Sequence, residues 1–172
     1  PAAPDPKVKY KVKTSTEGIA VAVYYGRKRI GGMNAFVQRY PETSELCGAD
    51  VWSLLEQYPQ IEKDTGRPRW VSDGVERTNT RALKVYKAFI TDETMLGRGI
   101  GKAMYITMMD EWFSRVGPFL FMPMACGDVG GTSPDAKRVW ASLARQYPSS
   151  GDVVAVLRRS TEPPSPPKAA LA

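Results

Sequence analysis

A glycine loop set between an apolar strand and a long amphipathic helix constrains this chain more than any other feature. Residues 83–90, Leu-Lys-Val-Tyr-Lys-Ala-Phe-Ile, read as a strand, and Gly97-Arg98-Gly99-Ile100-Gly101-Lys102 follows it. Apolar side chains then recur every fourth residue at Ile100, Met104, Met108, Trp112 and Val116, widened by Tyr105, Met109 and Phe113. Lys102, Asp110, Glu111 and Arg115 take the polar positions, so the segment predicts a helix with one face on a core. Gly117-Pro118 ends it. Strand, glycine loop and helix together present free backbone N–H groups at the positive end of a helix, a geometry that suits a phosphate.

Two common pyrophosphate loops are excluded by spacing. The P-loop needs a glycine five residues before the second glycine, and Ser or Thr after the lysine. Leu96 and Ala103 stand at those places. The dinucleotide fingerprint G-x-G-x-x-G fails as well, because its last place falls on Lys102 or Met104. What remains, G-x-G between strand and helix, resembles the coenzyme A loop of the GCN5-related N-acetyltransferase family, Gln/Arg-x-x-Gly-x-Gly/Ala. Gly99 and Gly101 fit its glycines, and Leu96 departs from its first position.

The downstream order agrees with that resemblance. Phe119-Leu120-Phe121-Met122 reads as a buried strand. Ser133-Pro134-Asp135 reads as N-cap, N1 proline and first-turn acid of a helix with Ala136, Val139, Trp140 and Leu143 on one face, ending near Tyr147-Pro148. Val153 to Leu157 is a last strand. The resemblance covers roughly residues 83–158. It implies an α/β (α+β) fold: a mixed, mostly antiparallel twisted sheet with helices on both faces. It also implies that Phe89, Ile90, Arg98, Gly99, Ile100, Gly101 and Lys102 hold acetyl-coenzyme A as co-substrate. Residues 83–90 are then expected as a central strand, splayed from residues 119–122 where the pantetheine arm enters.

Upstream, Ile19 to Tyr25 and Ile30 to Val37 predict a hairpin through Gly26-Arg27-Lys28-Arg29. Before it, Lys7 to Lys13 alternates lysine with Val or Tyr. Such a segment is an edge strand whose lysines discourage edge-to-edge pairing, or a strip that binds polyanions. The family's usual two helices between its first strands have no room here. Instead an insert, 39–82, separates the hairpin from the central strand. Leu46, Val51, Leu54, Leu55 and Tyr58 predict one helix in it, and Pro59 to Gly74 reads as an irregular loop carrying Lys63, Arg67, Arg69 and Trp70. The expected organisation is an arm and edge strand (1–13), one domain (14–158) and a Pro-rich tail (159–172).

A chain of 172 residues, 42% hydrophobic, is long enough to bury one core. No apolar run approaches membrane-spanning length and nothing resembles a signal peptide, so a cytoplasmic location is expected. Cys47 and Cys126 lack metal-ligand spacing, and no metal site is expected. The net charge of +6 favours acidic partners, nucleic acid included, without making any of them specific.

The chain has no histidine, which excludes Ser-His-Asp and Cys-His catalysis and histidine-ligated metals. A base must be a carboxylate, a perturbed Lys or Tyr, or a water chain. Acyl transfer from a thioester to an amine tolerates this. The resemblance implies a carboxylate near the strand before the loop, which leaves Asp73 and Glu76, with Asp92 and Glu93 after it; each is equally a solvated surface acid. It also implies a tyrosine in the final helix. Trp140 stands at that place, and Tyr147, two turns on, is the substitute or a core aromatic. Two functions therefore stay open: an N-acetyltransferase acting on an unidentified amine, and a non-catalytic assembly protein on the same fold. The second is similar to acetyltransferase-like proteins of tailed phages, some of them in the virion. Its contacts would run through the Pro-rich ends and the insert.

Overall fold

The structure is a computed structural model, and it describes residues 5–42, 45–46, 49–61, 70–72, 75–123 and 133–162. Among these residues ten strands and three α-helices follow in order: β1 (Val8–Thr14), β2 (Gly18–Tyr25), β3 (Lys28–Glu42), β4 (Glu45–Leu46), β5 (Ala49–Asp50), α1 (Val51–Gln57), β6 (Trp70–Ser72), β7 (Val75–Ile90), α2 (Ile100–Val116), β8 (Phe119–Met122), α3 (Pro134–Gln146), β9 (Ser149–Ser150) and β10 (Val153–Val156). A one-turn 3-10 helix, Glu93–Met95, lies between β7 and α2. The main sheet runs β1-β2-β3-β7-β8-β10-β9, with β6 also on β7. Every pairing in it is antiparallel except β7 with β8. This is the mixed, mostly antiparallel α+β sheet expected.

Side-chain alternation divides the apolar residues between two cores. Ile19, Val21, Val23, Met33, Ala35, Leu83, Val85, Phe119, Phe121, Val154 and Val156 point to one face. There they meet Ile100, Met104, Met108 and Trp112 of α2 and Trp140 and Leu143 of α3. The alternate residues Ala82, Leu120, Met122, Val153 and Ala155 turn to the opposite face and pack on Leu54 and Leu55 of α1. Helices therefore cover both faces, because β8 and β10 are apolar at every position. Lys9, Lys11 and Lys13 are exposed while Val8, Tyr10 and Val12 pack on the α2 core, so β1 is the lysine-faced edge strand.

Two expectations need correction. The central strand does not begin at Leu83 but at Val75, and it is 16 residues long. β3 likewise runs on to Glu42, and the two pair as far as Glu42↔Arg77. The extra residues are mostly polar, so apolar content carries no strand signal there, while an antiparallel partner satisfies their backbone. At the other end, residues 159–162 are tied to the domain. The backbone N–H and hydroxyl of Ser160 donate to the Asp110 carboxylate at 2.8 and 2.7 Å, and Arg159 Nε donates to Ser114 Oγ at 2.9 Å. Cys47, Cys126, residues 62–69 and both Pro-rich ends lie outside the described residues.

Gly31 fixes how closely β3 approaches the end of β7. A Cβ there would lie 2.5 Å from the carbonyl oxygen of Phe89. Backbone cannot move aside as a side chain does, so Gly31→Ala should cost about 1–3 kcal/mol. Urea unfolding checks this, and an unchanged midpoint would contradict the tight approach.

Candidate functional site

The glycine loop leaves β7 at Ile90. Thr91 ties the strand end down, its N–H and hydroxyl donating to the Ile30 carbonyl at 2.8 and 3.2 Å. Asp92 then caps the 3-10 turn, accepting from the N–H and hydroxyl of Thr94 at 3.0 and 2.6 Å. These hydrogen bonds, with Lys28 3.5 Å away, hold the Asp92 carboxyl below the usual carboxylate range. Asp92 is thereby a loop anchor and a poor base. Glu93 is exposed on the same turn.

Gly97 and Gly99 both adopt left-handed backbone, φ 76° and 78°. Gly99 is the N-cap of α2 and no side chain caps that helix. The orphan N–H groups of its first turn are left to solvent or a ligand. No acid lies in the first turn, and Arg98 and Lys102 are exposed beside it. A cation at the positive end of a helix is unfavourable unless an anion joins it. Gly101 is helical, and an added Cβ would meet nothing within 4 Å. Glycine inside a helix costs up to about 1 kcal/mol relative to alanine. Among the described residues nothing packs against this position and calls for glycine; close approach of a ligand to the backbone would.

Beside the loop the sheet is open. β8 pairs with β7 only from Ala82 to Lys84. From Val85 to Ile90 that edge of β7 has no strand partner among the described residues, because β8 ends at Met122; the expected splay is not seen over 119–122 itself, where Leu83 and Lys84 pair with Phe121 and Met122. A β-bulge lies within the same stretch. Asn34 pairs with Lys87 but Ala35 with Val85, so Tyr86 is an extra residue on β7. Free strand edge, bulge and uncapped helix start thus converge at one end of β7. Of the expected coenzyme residues, Phe89 and Ile90 end β7, and Arg98, Gly99, Ile100, Gly101 and Lys102 lie at the start of α2.

The catalytic candidates are not brought to that end. Asp73 lies outside the described residues. Glu76 is on β7 opposite Val71, fourteen positions from Ile90 or about 45 Å along the strand. Tyr147 is the C-cap residue of α3, buried, with its ring under the Arg158 guanidinium at 4.6 Å. Burial raises its pKa, and among the charges that act on it is Asp110, about 15 Å along α2 from Ile100. A small cavity of about 40 Å³ also lies at that far end of α2, against Trp112, Val116 and Arg81.

Sequence reasoning misses one pair. Tyr105, in the second turn of α2, is buried edge-on against Trp140, with ring centres 5.6 Å apart. Desolvation keeps its pKa raised, so the phenol stays protonated at neutral pH. The signal for it is a single polar atom on an otherwise apolar helix face. Among the described residues, no group of His, Cys, Asp and Glu can hold a metal, and no helix is long and apolar enough to cross a membrane.

Compared with protein-family models, with curated proteins and with solved structures, the chain matches none of them.

Proposed function

We propose that this chain binds acetyl-coenzyme A at the end of β7 and transfers the acetyl group to an amine, as a divergent relative of the GCN5-related N-acetyltransferases. The observation that carries the reading is the uncapped, acid-free start of α2 together with a strand edge that has no partner after Lys84 among the described residues. The N–H groups around Gly99 to Lys102, with Arg98 and Lys102, suit a pyrophosphate. The free edge of Val85 to Ile90 suits an extended chain bearing amides, which would pair as an added strand does. When bound, the coenzyme supplies an activated thioester. The chain's part is to hold it, align the amine and take a proton from the ammonium. Glu76 is too distant to take that proton, and Asp92 is committed to its cap.

A second reading, an assembly protein on this fold, is favoured by one observation. Trp140 stands where the family places a tyrosine, and it is packed against Tyr105 and Phe121. Incubation with radiolabelled acetyl-coenzyme A, a panel of amines and cell extract separates the two. Label transferred to an amine or protein supports the enzyme. Coenzyme binding without any transfer supports the second reading.

A further inference from the structure

The face of the sheet opposite α2 is uncovered by any described helix over β1, β2, β3 and the C-terminal half of β7, and its composition is unusual. Strand register places Lys9, Lys11 and Lys13 of β1 beside Tyr24, Ala22 and Ala20 of β2. On β3 the Ala22 and Ala20 rows continue with Gly32 and Asn34 and close on Phe89 and Lys87 of β7, the Tyr24 row meets Arg29, and Phe36, opposite Gly18, closes on Lys84. The result is a floor of small residues between two lysine-bearing walls, three strand spacings or about 14 Å apart. Lys84 and Lys87 would face opposite sides in a regular strand. The bulge at Tyr86 brings them to one.

Charge and aromatic exposure coincide there. These positions carry five lysines, Arg29 and no Asp or Glu. Three large apolar side chains are exposed among the described residues, and two of them, Phe36 at 45% and Tyr86 at 49%, lie on this face. Their rings meet edge to face, with centres 5.2 Å apart. Lys11 sits over the Tyr24 ring at 4.8 Å and Lys87 over the Phe89 ring at 5.0 Å. Asn34 Oδ1, on the floor, is buried and has no hydrogen-bond partner among the described residues. Lysine walls alone would attract any polyanion. Exposed aromatic faces between them add what a polyanion with planar bases uses, since stacking is favourable for every base and phosphates track the lysines.

We infer that this face binds single-stranded nucleic acid, with phosphates on Lys9, Lys11, Lys13, Lys84 and Lys87 and bases against Phe36 and Tyr86. Both readings use the segment Val85 to Ile90 of β7, this one through the side chains of Tyr86 and Lys87 and the coenzyme reading through the backbone edge, so either can fail without the other. Fluorescence anisotropy of a labelled 20-mer of oligo-uridine, titrated with the full chain, tests it. The expected affinity falls with salt at a log–log slope of about −3.5, as for five contacts to a single strand. The triple variant Lys11→Glu, Lys13→Glu, Lys87→Glu should weaken binding at least tenfold and flatten that slope. Phe36→Ala and Tyr86→Ala should each weaken binding about fivefold or more, with the slope unchanged. Unaltered circular dichroism and Tm keep these variants interpretable. No binding at low salt would overturn the inference. So would aromatic variants that bind as wild type, or a poly-glutamate peptide that competes as well as the oligonucleotide does, either of which reduces the face to a docking site for acidic protein.

Discussion

Gly101→Asp should abolish coenzyme A binding while the protein stays folded. A Cβ added at this position meets nothing within 4 Å among the described residues, so the substitution brings no clash at its base. Its carboxylate would stand in the first turn of α2, where the proposed pyrophosphate sits. Two like charges about 4 Å apart near a protein surface repel by about 4 kcal/mol, more than two orders of magnitude in affinity. An acid in the first turn also favours the helix itself. The Tm should therefore hold or rise as affinity vanishes, an opposition that general damage does not produce. Gly101→Ala is the milder control, with about 0.5–1 kcal/mol of added stability and weakened binding.

Phe121→Ala should destabilise the fold more than Gly31→Ala does. Phe121 is fully buried on β8, and its ring meets Tyr105, Phe119 and Trp140. It links α2, α3 and the centre of the sheet. Phe→Ala in such a site costs about 3–5 kcal/mol through lost burial and the cavity left behind. That is a large share of the roughly 5–15 kcal/mol of a typical domain. Chemical denaturation monitored by circular dichroism reads the effect. A loss under about 1 kcal/mol would mean that the aromatic cluster is not the centre of the core.

Much of this architecture is legible in the residues because local chemistry and tertiary packing agree. Gly117 stops α2 with φ 80°, and Ser133 Oγ accepts from the Ala136 N–H at the start of α3. The Val51–Gln57 helix is visible from Leu54 and Leu55, which are buried. What escapes has no apolar period. The first residues of β7, Val75 to Arg81, are mostly polar and owe their strand to β3. β9 is two serines held by β10, and the 3-10 turn rests on Asp92 and Thr94. The glycine loop is legible because glycine at positive φ has few other uses. The acid–base partners are not, because their positions depend on register. Glu76 belongs to the loop's own strand yet sits at its far end. The lysine face shows the same limit: β1 displays its alternation, but the matching Lys84 and Lys87 need the bulge at Tyr86 to be seen.

A coenzyme cradle at the end of β7 is tested most directly by isothermal titration of the full chain with coenzyme A and acetyl-coenzyme A. Saturable one-to-one binding of both is expected, lost in Gly101→Asp at unchanged Tm. No heat from either ligand at millimolar concentration, or equal affinity in wild type and variant, would contradict the cradle.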